Sequence, residues 1–177
     1  AKGHLTGAFT FGEITAENAA RICKEDPAVE IPDEQVQEAR DRIARIFQMD
    51  GPISPHEFEY KVRRLVTNYM IPPKNETKLR LGLEWMEKFR AQLPQLVHVT
   101  DLHWASKILE IESIIEISAL SAHASLARKE SRWGFWHYRT DFPEADDENF
   151  LRHLILERNS DPASPEISFK EIESLDR

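Results

Sequence analysis

Between Ala105 and Leu126 the residues Ala105, Ile108, Ile111, Ile115, Ala119, Ala122 and Leu126 recur every three or four positions. At 3.6 residues per turn this spacing keeps one apolar seam through roughly seven turns of helix, which Thr100 or Asp101 can cap. Such a seam has to be covered by other elements, and nothing in the chain alternates with period two for long enough to build a sheet. The expected fold class is therefore all-α: an antiparallel helical bundle of three to four long helices, followed by an aromatic-rich loop, a short helix and a C-terminal tail.

The remaining helices follow from the same periodicity and from where the prolines fall. A first helix is expected from about Leu5 to Lys24, with Gly7, Ala8 and Gly12 small enough to let another backbone approach, ending before Pro27. Asp33 to Met49 carries Val36, Ala39, Ile43, Ile46 and Phe47 on one stripe, and Asp50-Gly51-Pro52 stops it. Ser54-Pro55-His56-Glu57 reads as a capping box with proline at the first helical position, opening a helix with Phe58, Val62, Leu65, Val66 and Tyr69 inward. Pro72 and Pro73 follow it. A fourth helix is expected over about Glu76 to Gln92, with Leu79, Leu83, Met86 and Phe89 on its stripe and Pro94 closing it. Beyond the long fifth helix, a short one capped by Asp146 or Asp147 carries Phe150, Leu151 and Leu154. The residues after it either pair as a strand or stay loose.

Several function classes are disfavoured by charge and composition. A formal net charge of −8 does not suit nucleic acid or an anionic membrane. The single cysteine, Cys23, rules out a disulfide framework and any multi-cysteine metal cluster within the chain. The seven histidines include no i,i+4 pair on a helix face. Glu110, Glu112 and Glu116 interrupt the most apolar stretch, so no membrane span is expected and the three carboxylates read as solvated. No signal peptide is legible at the N-terminus, and with one cysteine a cytoplasmic location is the expectation. Glycine-rich phosphate loops and nucleophile elbows are absent.

After Arg128 the character changes. Trp133, Phe135, Trp136, Tyr138 and Phe142 crowd together with Arg132, His137, Arg139 and Asp141. Such a cluster is a loop fixed to a core, a partner interface or a ligand site. Asp141, Glu144, Asp146 and Asp147 are close enough in sequence to Arg132 and Arg139 for bidentate salt bridges to hold the loop. His137 reads as a hydrogen-bonded structural histidine, with proton donation as the alternative.

The run ESRWGFWHYRTDFPEADDENFLRH, Glu130 to His153, resembles the C-terminal signature of the succinate dehydrogenase and fumarate reductase flavoproteins, through Arg132, Gly134, His137, Arg139, Asp141 and Pro143. Trp133, between Arg132 and Gly134, is similar to the adenylylsulfate reductase alpha-subunit branch. At the other end, Gly3 to Ala20 resembles the last helix of that superfamily's flavin domain, with Phe11-Gly12 in place. Gly3, His4 and Leu5 are then the implied FAD contacts. Gly3 and His4 depart from the usual residue types, which leaves the contacts to the backbone.

The resemblance implies two parts, residues 1–26 as the terminal helix of a flavin-binding domain and 27–177 as a helical C-terminal domain. Its implied partners are the flavin-binding and capping domains of the same protein and an iron–sulfur subunit. None of the superfamily's catalytic residues falls in this stretch. The chain is thus expected to be an expressed domain, a proteolytic fragment or a truncated reading frame, inactive and without flavin by itself. Intact, an adenylylsulfate reductase-like protein would reduce adenosine 5′-phosphosulfate to AMP and sulfite. A fumarate reductase, succinate dehydrogenase or L-aspartate oxidase origin is the alternative, and a stand-alone helical interaction module is another.

Overall fold

A computed structural model of the chain describes residues 4–25, 30–159 and 164–172. It divides into two compact units, 1–41 and 42–177. In the first unit, α1 (His4–Glu25) runs for 22 residues, and Phe9, Phe11, Ile14 and Ile22 along it are exposed. The small residues expected to admit a neighbouring backbone stand in open space, since a Cβ at Gly7 or Gly12 would meet nothing within 4 Å. Helix α2 (Asp33–Ile46) begins in this unit and crosses into the next.

The second unit is built on α3 (Pro55–Tyr69), α4 (Glu76–Leu96) and α5 (Leu102–Ala127), all three packed on one another. Residues 70–75 and 97–101 are the only chain between them, which suits antiparallel neighbours. Their core comprises Phe58 and Val62 from α3, Leu79, Met86, Phe89 and Leu93 from α4, and the α5 seam from Ala105 through Ala122. Phe58 meets Phe89 edge-on at 5.5 Å between ring centres.

Three helix starts are capped by side chains, at Ser54 and Asp101 as expected and also at Asn75. Ser54 Oγ accepts the Glu57 amide at 3.2 Å, Asn75 Oδ1 accepts Lys78 N at 2.9 Å, and Asp101 Oδ1 accepts Trp104 N at 3.0 Å. The second arm of the Ser54 capping box is not formed; the Glu57 carboxylate pairs with Lys61 Nζ at 3.0 Å. Pro94 does not close α4, which continues to Leu96 around it. A proline in the last turn removes only one backbone bond, and Leu93, buried, anchors that turn to the core.

Two expectations need revising. The α2 stripe is only partly covered: Ile46 is buried, whereas Ile43 and Phe47 are exposed. The short helix α6 (Asp147–Phe150), capped by Asp146, stops before Leu154, which lies in a strand. Strands β1 (Arg152–Glu157) and β2 (Glu166–Glu171) form an antiparallel hairpin with Leu154 opposite Phe169 and Leu156 opposite Ile167. The fold remains a helical bundle with this small hairpin at its C-terminal end.

Gly51 fixes how the chain enters the bundle. Its amide donates to Val97 O at 3.1 Å and Ile53 N donates to Leu96 O at 3.0 Å, so the loop backbone lies directly on the end of α4. A Cβ at Gly51 would sit 2.1 Å from the Leu96 carbonyl carbon, and only glycine allows that approach.

Candidate functional site

The loop from Arg128 to Asp147 is organised by three buried polar residues, Glu130, Ser131 and Arg139. Glu130 is the hub. Its Oε1 accepts from Arg128 Nη1 at 2.6 Å and Arg132 Nε at 2.8 Å, and its Oε2 accepts from Arg132 Nη2 at 2.8 Å and the Asp146 amide at 2.9 Å. All four acceptor directions of the carboxylate are filled. Burial alone would push its pKa up, but the Arg132 hydrogen bonds, the Asp146 amide and Arg128 outweigh burial and hold it at about 2. Arg132 in turn is held firmly charged by Glu130 and by Asp147, 2.6 Å away.

Arg139 is a second anchor, fully buried against the C-terminal half of α5. Its guanidinium grips Asp141 bidentately, Nε to Oδ1 at 2.8 Å and Nη2 to Oδ2 at 2.6 Å, and its Nη1 donates to the Ser125 carbonyl. The Arg139 hydrogen bonds hold the Asp141 carboxyl down at about 2. Asp141 also accepts the Glu76 amide at 2.8 Å, adding a second acceptor to the start of α4 beside Asn75. Ser131 completes the clamp: its Oγ accepts the Arg139 amide and donates to Phe142 O, both at 2.8 Å.

Lys74 ties the same loop to the α3–α4 turn. The Lys74 amide donates to Tyr138 O at 2.9 Å, and Thr140 N donates to Lys74 O at 2.8 Å. Its ammonium is buried and donates to Ser125 Oγ at 2.9 Å, and burial followed by the Arg139 charge lowers its pKa.

The loop places its aromatic residues differently from its charges. Trp133 and Gly134 both take left-handed backbone, with φ of 60° and 59°. They open a single 3-10 turn, Gly134–Trp136, that leaves Trp133 79%, Phe135 70% and Trp136 78% exposed. His137 closes this turn, its amide neighbourhood bridged to Arg132, whose N donates to His137 O at 2.9 Å. Its buried Nε2 has no hydrogen-bond partner among the described residues. Desolvation first, then the Lys74, Arg128 and Arg139 charges, push the His137 pKa down, against a hydrogen bond to the Arg128 backbone.

Beside these residues lies a cavity of about 670 Å³, lined among others by Lys74, Ser125, Arg128, Arg132, Trp133, Trp136, His137 and Phe150. The structure thus gathers Arg132, Trp133 and His137 of the residues singled out in the sequence around one cavity, and sets Arg139 and Asp141 behind it as a brace. Pro143 follows in the same loop, outside any helix or strand. Gly3 lies outside the described residues, and of His4 and Leu5 only the helical backbone at the start of α1 is described.

Sequence reasoning missed Glu130, Lys74 and Ser125 as parts of the site. Glu130 had a signal: in extended backbone, residues two apart share a side, so Arg128 and Arg132 flank its carboxylate. Lys74 had none, because its partners lie 51 or more residues away. Among the described residues no group of three His, Cys, Asp or Glu side chains could hold a metal ion, and no helix is long and apolar enough to cross a membrane.

Comparison with known proteins places this architecture. Residues 59–175 match the family model described as fumarate reductase flavoprotein C-term. A fumarate reductase flavoprotein subunit of Mycobacterium tuberculosis is 41% identical over 54 residues, 30% of this chain and 9% of that protein. A succinate dehydrogenase flavoprotein subunit of Coxiella burnetii is 27% identical over 136 residues, covering 72% of this chain and 23% of its own. Among solved structures, adenylylsulfate reductase from Archaeoglobus fulgidus shares the fold over 96% of this chain and 29% of its own, with a TM-score of 0.80 at 24% identity. Mycobacterium smegmatis Sdh1 shares it over 90% of this chain and 27% of its own, with a TM-score of 0.72 at 19% identity. The chain therefore spans less than a third of the length of these relatives.

Proposed function

Since the chain belongs to the fumarate reductase flavoprotein C-terminal family, we propose that it is the helical C-terminal part of an FAD-dependent oxidoreductase resembling adenylylsulfate reductase. The observation that carries this reading is the fold shared with the Archaeoglobus fulgidus enzyme over 96% of the chain. The Arg132-Trp133-Gly134 spelling, with its left-handed turn, supports the same branch. In the intact protein the substrate would be adenosine 5′-phosphosulfate, reduced to AMP and sulfite.

Residues 1–26 would be the terminal helix of the flavin-binding domain, and 27–177 the helical domain that braces it. The start of α1 fits an anionic cofactor edge. Its first turn contains no acidic residue, so the positive end of the helix dipole is uncompensated near Gly3, His4 and Leu5. FAD, when bound, would supply the electron transfer; the residues here would contribute backbone amides and position. The aromatic turn at Trp133, Phe135 and Trp136 would face another domain of the same protein or an iron–sulfur subunit. Cytoplasmic placement goes with this reading.

Co-expression with the flavin-binding and capping halves of the same protein tests it. The expected product is yellow and oxidises reduced methyl viologen when given adenosine 5′-phosphosulfate, while the 177-residue chain alone is colourless and inactive. Turnover of fumarate or L-aspartate instead would move the protein to the dicarboxylate branch. Flavin binding and turnover by the chain alone would overturn the proposal, and a chain that captures partners without ever assembling with a flavin half would be an interaction module.

A further inference from the structure

The cavity beside the loop has an unbalanced lining. Lys74, Arg128, Arg132, Arg152, His137 and His153 all line it, and no acidic side chain among the described residues does. Two of the arginines are already satisfied, Arg128 by Glu130 and the Phe150 and Arg152 carbonyls, Arg132 by Glu130 and Asp147. Arg139, behind the cavity, is matched by Asp141.

Lys74 is different. It is only 7% exposed, yet its ammonium pairs with no carboxylate among the described residues. Its one protein acceptor among the described residues is the neutral Ser125 hydroxyl, whose own proton goes to Ser121 O at 2.8 Å. Two of its three donor directions have no protein partner among the described residues. His137 adds a second unmet group, the buried Nε2. A buried cation whose one acceptor is neutral and a buried orphan nitrogen are each costly, and both residues line one cavity.

The remaining lining says what kind of anion fits. Trp133, Trp136, Phe150, Leu151, Leu154 and Leu156 make most of the wall apolar. A phosphate or sulfate, strongly hydrated and tetrahedral, gains nothing from such a wall. A carboxylate has two oxygens for two donors, and an apolar carrier matches the wall. We propose that this cavity is a binding subsite for a carboxylate on an apolar or aromatic carrier, with Lys74 and His137 holding the carboxylate and Trp133, Trp136 and Phe150 covering its carrier. The inference stands apart from the flavoprotein reading and needs no cofactor.

A neutral ring that carries its proton on Nδ1 has a bare Nε2, and with that tautomer holding a carboxylate there requires the imidazolium. Binding to that tautomer is accompanied by uptake of one proton and strengthens as pH falls. The surrounding charges that set the His137 pKa are Lys74 from the α3–α4 turn, Arg128, Arg132 and Arg139 from the loop with their partners Glu130 and Asp141, and Arg152 and His153 from β1.

Titration calorimetry on the full 177-residue chain tests the subsite with 3-phenylpropionate, its carboxamide, and the peptide N-acetyl-Leu-Asp-Leu-amide. The expected result is binding of a carboxylate probe, at least about tenfold weaker in Lys74→Gln and in His137→Gln, with the carboxamide inert. The His137 Cε1 proton resonance should report a raised pKa on saturation. Tighter binding of phenylpropionate marks a free small carboxylate as the occupant; tighter binding of the peptide marks an acidic side chain of a neighbouring polypeptide. Should Lys74→Gln fail to fold by circular dichroism, His137→Gln decides. The proposal is overturned if neither carboxylate binds, if the carboxamide binds equally well, or if both variants keep full affinity.

Discussion

The bundle of α3, α4 and α5 and the loop clamped to it are equally buried at their centres and are held in opposite ways. In the bundle, burial is carried mainly by Ile108, Ile111, Ile115 and their neighbours, whose side chains have no polar atom to satisfy. Dispersion and the hydrophobic effect are non-directional, so each core residue contributes a share and neighbours compensate partly for a loss. In the loop, burial is carried by Glu130, Ser131 and Arg139, each useful only while its partners stay in place. The first region is graded and tolerant, and the second is closer to all-or-none.

Two conservative substitutions test that contrast at its strongest. Glu130→Gln keeps the shape but leaves Arg128 and Arg132 without their shared anion, and is expected to cost about 3–5 kcal/mol in urea unfolding. Acid gives nearly the same information without a mutation. With Glu130 held at about 2 when folded and near 4.5 when unfolded, its contribution is fully present above pH 4.5 and disappears as pH falls toward 2. That loss is expected to be about 3 kcal/mol. Asp141 titrates downward over the same interval, so the limb shrinks in Glu130→Gln without vanishing. Equal acid limbs in wild type and Glu130→Gln would mean that the clamp does not stabilise the fold. Ile111→Val, at a fully buried core position, is expected to cost only about 1 kcal/mol. If it cost as much as Glu130→Gln, the contrast between graded and all-or-none regions would be gone.

The same difference decides how much could be read from the sequence. The α5 seam and the caps at Ser54 and Asp101 are local in sequence, and the structure has them. Periodicity says that an apolar face exists but not what covers it, which is why Ile43 and Phe47 read as core and stand exposed. The run His153-Leu-Ile-Leu156 is too short and too continuously apolar to tell strand from helix, and pairing with Phe169 and Ile167 settles it. The loop's ion pairs were legible in kind, arginine with nearby carboxylate, but not in their centre. Glu130 matters because four donors converge on it, and Lys74 because a turn after α3 brings it to Ser125 of α5. Convergence of that sort depends on tertiary geometry, which residue spacing does not encode.

Trp133 gives the smallest effect and the sharpest division between fold and function. A non-glycine residue at φ 60° and ψ 35° is strained by about 1 kcal/mol or more, and an indole that is 79% exposed regains little through burial. Glycine removes the strain and adds back some unfolded-chain entropy, so Trp133→Gly is expected to stabilise the chain by about 0.5 kcal/mol. Carboxylate affinity should fall at the same time, because one aromatic wall of the cavity is lost. Unfolding and calorimetry on the same sample separate the two roles. A net loss of stability above about 1 kcal/mol would place the indole among the groups that hold the loop. Greater stability with weaker binding would mean that the tryptophan is kept at a strained position for what it covers.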